Sequence, residues 1–181
     1  MTGKLLVATP KLVDPNFART VVLLCRHDEE GALGLVLNRP IDEAPVAEHL
    51  PAWQARVAAP PVVFLGGPVE PTAALALGRV VDGAGHSALT PVTASVSLID
   101  LREEPATLEA QLESVRVFVG YAGWTGGQLE AEIADGGWFV VDSRPGDAFT
   151  DVPDHLWQTV LKREGGRLAM FAFAPEDPRI N

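Results

Sequence analysis

Phe118-Val119-Gly120-Tyr121-Ala122-Gly123-Trp124-Thr125-Gly126-Gly127-Gln128-Leu129-Glu130-Ala131-Glu132-Ile133-Ala134-Asp135-Gly136-Gly137-Trp138-Phe139-Val140-Val141 is the stretch on which the fold turns. It holds six glycines, the only tyrosine and two of the four tryptophans. Val117-Phe118-Val119 predicts one strand and Trp138–Val141 another, with a helix over Gln128–Ala134 between them. The eighteen residues from 120 to 137 suit a crossover connection, which predicts that the two strands are parallel and linked with right-handed sense. Thr125-Gly126-Gly127-Gln128 has the form of a capping box: the threonine hydroxyl accepts from the Gln128 N–H and the glutamine side chain reaches back. Trp124 and Leu129 then fall at the two positions of a hydrophobic staple. Gly126 and Gly127 are left over, because glycine weakens a first helical turn. Either a neighbouring strand approaches the backbone there, or a ligand meets the free N–H groups at the helix start.

Working outward, Leu5–Ala8 reads as a short strand ended by Thr9-Pro10. Thr20–Cys25 and Leu33–Leu37 flank an acidic connector and predict an antiparallel hairpin. A short helix is expected between Asp42 and Leu50, capped by Asp42 and stopped by Pro51. Val62–Leu65 is a buried-strand candidate running into Gly66-Gly67-Pro68, and residues 73–98 are expected to hold two strands. Leu108, Leu112 and Val115, spaced by four and three, predict a helix starting near Pro105. A last helix over Pro153–Arg163 buries Leu156, Trp157, Val160 and Leu161 and ends at Gly165-Gly166. Leu168–Ala172 is expected as a closing strand, with a loose polar tail from Pro175 to Asn181. Antiparallel pairing early and a crossover late imply an α+β fold: a mixed sheet with helices beside it.

A chain of 181 residues buries about 70% of its unfolded surface, enough for one self-sufficient domain spanning 1–181. With 24 acidic against 14 basic residues the net charge is −10, and the basic residues are scattered. Phosphate neutralisation calls for a basic patch, so direct nucleic-acid binding is disfavoured. One cysteine, Cys25, excludes an intrachain disulfide and reads as a buried inert thiol. The apolar run at the start is too short for a signal peptide, and no stretch nears the ~20 apolar residues of a membrane span. A cytoplasmic protein without membrane association is expected.

The chemical motifs are mostly absent. His27-Asp28-Glu29-Glu30 reads as a solvated hairpin loop, and the remaining histidines are isolated, so no metal is expected. No nucleophile elbow, phosphate loop or dinucleotide fingerprint occurs, and no cofactor is expected. Glu130 and Glu132 point to different sides of a helix and do not form a catalytic pair. Three polar sites follow apolar strands directly: Asn38-Arg39, Gly66-Gly67-Pro68 and Tyr121–Gln128. Loops at strand ends commonly assemble binding sites, with Arg39 offering a fork for an anion and Tyr121 a phenol; the alternative is three ordinary turns.

These residues together resemble the AlgH/YqgE family of bacterial proteins. The resemblance is carried by Gly3–Ala8 with Pro10, by Phe17 with Arg19-Thr20-Val21, and by Gly34–Pro40. It continues through Gly66-Gly67-Pro68, Gly120–Trp124, Gly127–Glu130 with Glu132, Trp138 and Leu156-Trp157. It implies an α+β fold whose mixed sheet curls into a barrel-like form. It implies no established activity, and the family's frequent label of transcriptional regulator comes with no basic recognition helix in this chain. The reading that follows is a non-catalytic regulatory protein binding a small molecule or another protein. Its candidate site is Asn38, Arg39, Gly66, Gly67, Tyr121, Trp124, Gly126, Gly127 and Gln128. An enzyme using Tyr121, Arg39 or Glu132 is the runner-up, and direct transcription regulation the third reading.

Overall fold

In the computed structural model, which describes residues 1–174, ten strands form one sheet system. They are β1 (Lys4–Ala8), β2 (Val21–Asp28), β3 (Gly31–Val36), β4 (Pro40–Pro45), β5 (Val62–Leu65), β6 (Val69–Val80), β7 (Leu89–Pro91), β8 (Val96–Ile99), β9 (Leu112–Thr125) and β10 (Trp138–Asp142). The helices are α1 (Val46–His49), α2 (Gln128–Ala134), α3 (Leu156–Glu164) and α4 (Gly166–Phe171), with short 3-10 turns between them. The order across the sheet is β10-β1-β2-β3-β9-β6-β8-β7, and β4 pairs with β5, which joins β9. Neighbours along that path run antiparallel, whereas β5 lies parallel to β9 at Phe64↔Phe118 and Leu65↔Val119. The result is a strongly curled, half-barrel mixed sheet with flanking helices, as the residues and the resemblance together imply.

Strand β9 organises the whole sheet. Its first part pairs with β6 from Leu112 to Tyr121, while its end pairs with β3 from Ala122 to Thr125. A helix starting near Pro105 is therefore not formed: a single 3-10 turn covers Pro105–Leu108, and Leu112 and Val115 belong to the strand. The cause of the misreading is a bulge. Val80 faces Leu112 while Arg79 faces Ser114, so one extra residue sits between them. That extra residue returns Leu112 and Val115 to the same buried cluster despite their odd spacing, which imitates helical periodicity.

Other local expectations are corrected as well. Strands β9 and β10 are not neighbours, because β1, β2 and β3 lie between them. The 42–50 helix shrinks to one turn, α1, preceded by β4; Asp42 lies in that strand and Pro45, without a side-chain cap, occupies the N-cap. Residues 73–98 hold parts of three strands rather than two, β6 having begun at Val69. Leu168–Ala172 is no strand: Gly165, at φ 71°, breaks α3 and the chain re-enters a helix, α4. Arg, Leu, Ala and Met are good helix formers, and a short apolar run does not distinguish strand from helix. The polar tail from Pro175 lies outside the described residues.

The sheet is buried on both faces. On one, Leu5, Val7, Leu23, Leu35, Phe64 and Phe118 pack against Leu156, Trp157, Val160 and Leu161 of α3. On the opposite face of β1–β3, Leu6, Val22, Leu24 and Val36 pack with Trp124, Leu129 and Trp138. This double burial explains why β1 and β2 read as continuous apolar runs rather than alternating ones. Arg116, 1% exposed, crosses the core over the Phe64 ring and donates to the Thr150 and Ala59 carbonyls. Burial pulls its guanidinium down to about 10.

Candidate functional site

Asn38 leaves β3 beside the loop that enters β2. Its Nδ2 donates to the Arg19 carbonyl and its Oδ1 accepts from the Val21 N–H, both at 2.9 Å. Arg19 has φ 56°, unusual for a side chain of its size, so Asn38 braces a left-handed residue. Arg39 donates to the Ala18 carbonyl at 2.7 Å and stays half-buried. Gly66 and Gly67 insert between β3 and β9: the Gly66 N–H bonds the Val119 carbonyl, and the Val36 N–H bonds the Gly66 carbonyl. A Cβ on Gly67 would lie 2.2 Å from the Tyr121 carbonyl carbon, and one on Gly66 would lie 2.3 Å from the Gly120 oxygen. Asn38-Arg39, Gly66-Gly67 and Tyr121 thus meet in one region. Arg39, Leu65, Gly67 and Pro68 line a recess there of about 10 Å³, room for roughly one water.

Trp124, Gly126, Gly127 and Gln128 lie elsewhere. Thr125 pairs with Gly31 at the far end of β3, a strand of six residues spanning roughly 20 Å. Thr125 closes β9, and the N-cap of α2 is Gly127, at φ 78°. Half of the expected capping box survives: Gln128 Oε1 accepts from the Thr125 N–H and hydroxyl at 3.1 and 3.3 Å. Trp124 and Leu129 do share one buried cluster. Gly126 is explained by close approach, since a Cβ there would sit 2.5 Å from the Glu29 carbonyl oxygen. Gly127 supplies the left-handed turn into α2.

Glu132 has a definite duty. Its Oε2 accepts from both the Trp124 and Trp138 indole N–H groups at 2.9 Å, and its Oε1 accepts from Gln128 at 3.0 Å. It therefore fastens α2 to β9 and β10, at the opposite end of β3 from Arg39. Glu130 reaches His27 at 2.5 Å. Hydrogen bonding from its own backbone, then from that ring, holds its carboxyl below the ordinary range. Cys25 is buried, and desolvation pushes its thiol up to about 12, well away from reactivity. Among the described residues no group of three His, Cys, Asp or Glu side chains is arranged to hold a metal. Among the described residues no helix is long and apolar enough to cross a membrane.

The larger concavity on this side is one that sequence reasoning missed. β4 and α1 lean over the sheet and leave a cavity of about 290 Å³ lined by Ile41, Ala44, Leu50, Val63, Ala74, Val117 and Val119, with His49 as its polar group. Val63 lines this cavity and Leu65, two residues on along β5, lines the Arg39 recess, so the two neighbour each other. Its lining is apolar and comes from four distant segments. The apolar residues of a cavity wall and of a filled core look alike in sequence, which left no signal to find.

The comparisons with known proteins agree with this architecture. A model of the AlgH-like family matches residues 5–169. A UPF0301 protein of Streptomyces avermitilis is 48% identical over the whole chain and 95% of its own length. A crystal structure of a protein from Corynebacterium diphtheriae superposes with a TM-score of 0.89 at 28% identity, covering 94% of this chain and 90% of that one. The solution structure of AlgH from Pseudomonas aeruginosa, also 28% identical, gives a TM-score of 0.71 over 96% of this chain and 94% of that one.

Proposed function

The chain belongs to the AlgH-like family, and from that premise we propose that it is a non-catalytic binding protein of regulatory type, acting in the cytoplasm. The single observation that carries this reading is the apolar cavity under β4 and α1, about 290 Å³ in volume. That is close to the lower range of small-ligand pockets, which combine an apolar lining with a few polar groups. The cavity takes the apolar part of a small molecule or one anchoring side chain of a protein partner. His49 at its lining and Arg39 in the adjoining recess, beside Gly66, Gly67 and Tyr121, supply the polar contacts. Of the three residues of the enzyme reading, Glu132 is engaged by the Trp124 and Trp138 indoles, at the other end of β3 from Arg39.

The test is a thermal-shift screen with nucleotides, metabolites and small apolar compounds, run on the native chain and on Ala44→Leu. The substitution fills the cavity from β4, where Ala44 is half-exposed. A compound that raises the native melting temperature and loses its effect in Ala44→Leu supports the reading. No stabilising compound, or one equally effective on both proteins, defeats the small-ligand form of it.

A further inference from the structure

A second concavity lies elsewhere, where the end of β1 meets α4. Thr9, Pro10, Lys11, Gly136, Phe139, Arg167, Leu168 and Phe171 enclose about 420 Å³. Its apolar wall is built from Phe139 and Phe171, whose rings lie 5.4 Å apart and tilted by 32°, together with Leu168. Both charged residues among the described lining, Lys11 and Arg167, are cations, in a chain of net charge −10. Both are exposed, and neither forms an ion pair with a carboxylate among the described residues.

The backbone around the cavity is held in place. Thr9 Oγ1 donates to the Gly136 carbonyl at 2.8 Å and accepts from the Lys11 N–H at 3.3 Å, which ties the Lys11 turn to the end of α2. Gly136 has φ 78°, and a Cβ there would meet nothing within 4 Å, so the mouth stays open on that side. An aromatic wall with two cations at its border is complementary to one chemical type. We propose that this cavity binds a small organic monoanion, a carboxylate on an aryl or short alkyl body. The apolar body lies against Phe139, Leu168 and Phe171, and the carboxylate accepts from Arg167 and Lys11. This site is separate from the cavity under β4 and α1 and does not depend on it.

The experiment is a titration of the ¹⁵N-labelled full chain with 3-phenylpropanoate and, in parallel, with 3-phenylpropanamide, followed by amide chemical shifts. The carboxylate is expected to move the Lys11, Gly136, Arg167 and Phe171 amides saturably. Arg167→Gln and Lys11→Gln are each expected to weaken it about fivefold, the scale of one exposed ion pair. The neutral amide is expected to bind about tenfold more weakly or not at all. Leu168→Gln, which leaves both cations, is expected to weaken both compounds alike. Equal binding of acid and amide, or shifts that cluster elsewhere, overturns the proposal. Shifts at these amides that follow protein concentration instead of ligand assign the face to a second copy of the chain and also overturn it. Because Ala44→Leu leaves this cavity untouched, an unchanged titration in that variant separates the two readings.

Discussion

Glu132→Ala is the substitution that most directly tests how α2 is held. Glu132 Oε2 receives two indole N–H groups, those of Trp124 and Trp138, which are 6% and 3% exposed. A hydrogen bond to a charged group contributes about 1.5–3 kcal/mol net. Glu132 is itself half-buried, so the lower end applies to each bond. Loss of both predicts a destabilisation of about 3 kcal/mol, part of it from indole N–H groups left without an acceptor. Glu132→Gln keeps a carbonyl acceptor for the indoles but makes the bonds neutral, at about 1 kcal/mol each, so it is expected to cost about 1 kcal/mol. The assay is urea unfolding followed by far-ultraviolet circular dichroism, since indole fluorescence would change with the mutation itself. A cycle with Trp138→Phe is expected to show a coupling of about 1 kcal/mol or more. A loss below about 1 kcal/mol for the Ala variant, or equal losses for Ala and Gln, refutes the clamp.

Cys25 is expected to resist an aromatic disulfide reagent in the folded chain near pH 8 and to react fully in concentrated guanidinium, because burial raises its pKa to about 12. The folded state keeps its proton where the unfolded one releases it, from about pH 9, so stability falls as pH rises from there toward 12. The slope from this group is about 1.4 kcal/mol per pH unit, and Cys25→Ala is expected to abolish it in alkaline urea titrations. Gly67→Ala and Gly120→Ala are each expected to cost about 3 kcal/mol or more, since the new Cβ atoms would lie 2.2 and 2.4 Å from backbone atoms of the partner segment. Gly146→Ala is the contrasting case: at φ −83° with nothing within 4 Å of its Cβ position, it is expected to stabilise by about 0.4–1 kcal/mol in the same unfolding assay.

How far the chain could be read from its residues depends on where each signal originates. Leu5–Ala8, the 21–36 hairpin and the helix α3 were legible because their apolar runs, turn residues and 3.6-residue spacing are local. The misread segments had signals that a distant partner reversed. The bulge in β9 is set by pairing with β6 and put Leu112 and Val115 on one face at a helical interval. β4 is a strand despite its two acidic residues and two prolines, because β5 offers it an edge at Phe64 and Val62. Asn38 and Arg39 were found as polar residues at a strand end. That Asn38 spends both halves of its amide on the Arg19–Val21 backbone is visible only with the two loops side by side.

The sequence by itself determined an acidic α+β chain, its kinship with the AlgH-like family, and the glycine-rich segment at its centre. Tertiary structure decided what that segment does. Gly66, Gly67 and Gly120 allow two backbones to close to distances no Cβ would permit, and Gly126 does the same against the Glu29 carbonyl. Tertiary structure alone also decided where open space remains, under β4 and α1 and between β1 and α4. The physical reason is that conformational preference acts within a few residues along the chain. A cavity is instead the volume left between segments such as Ile41, Val63, Ala74 and Val117, whose apolar character is the same whether the space between them is filled or empty.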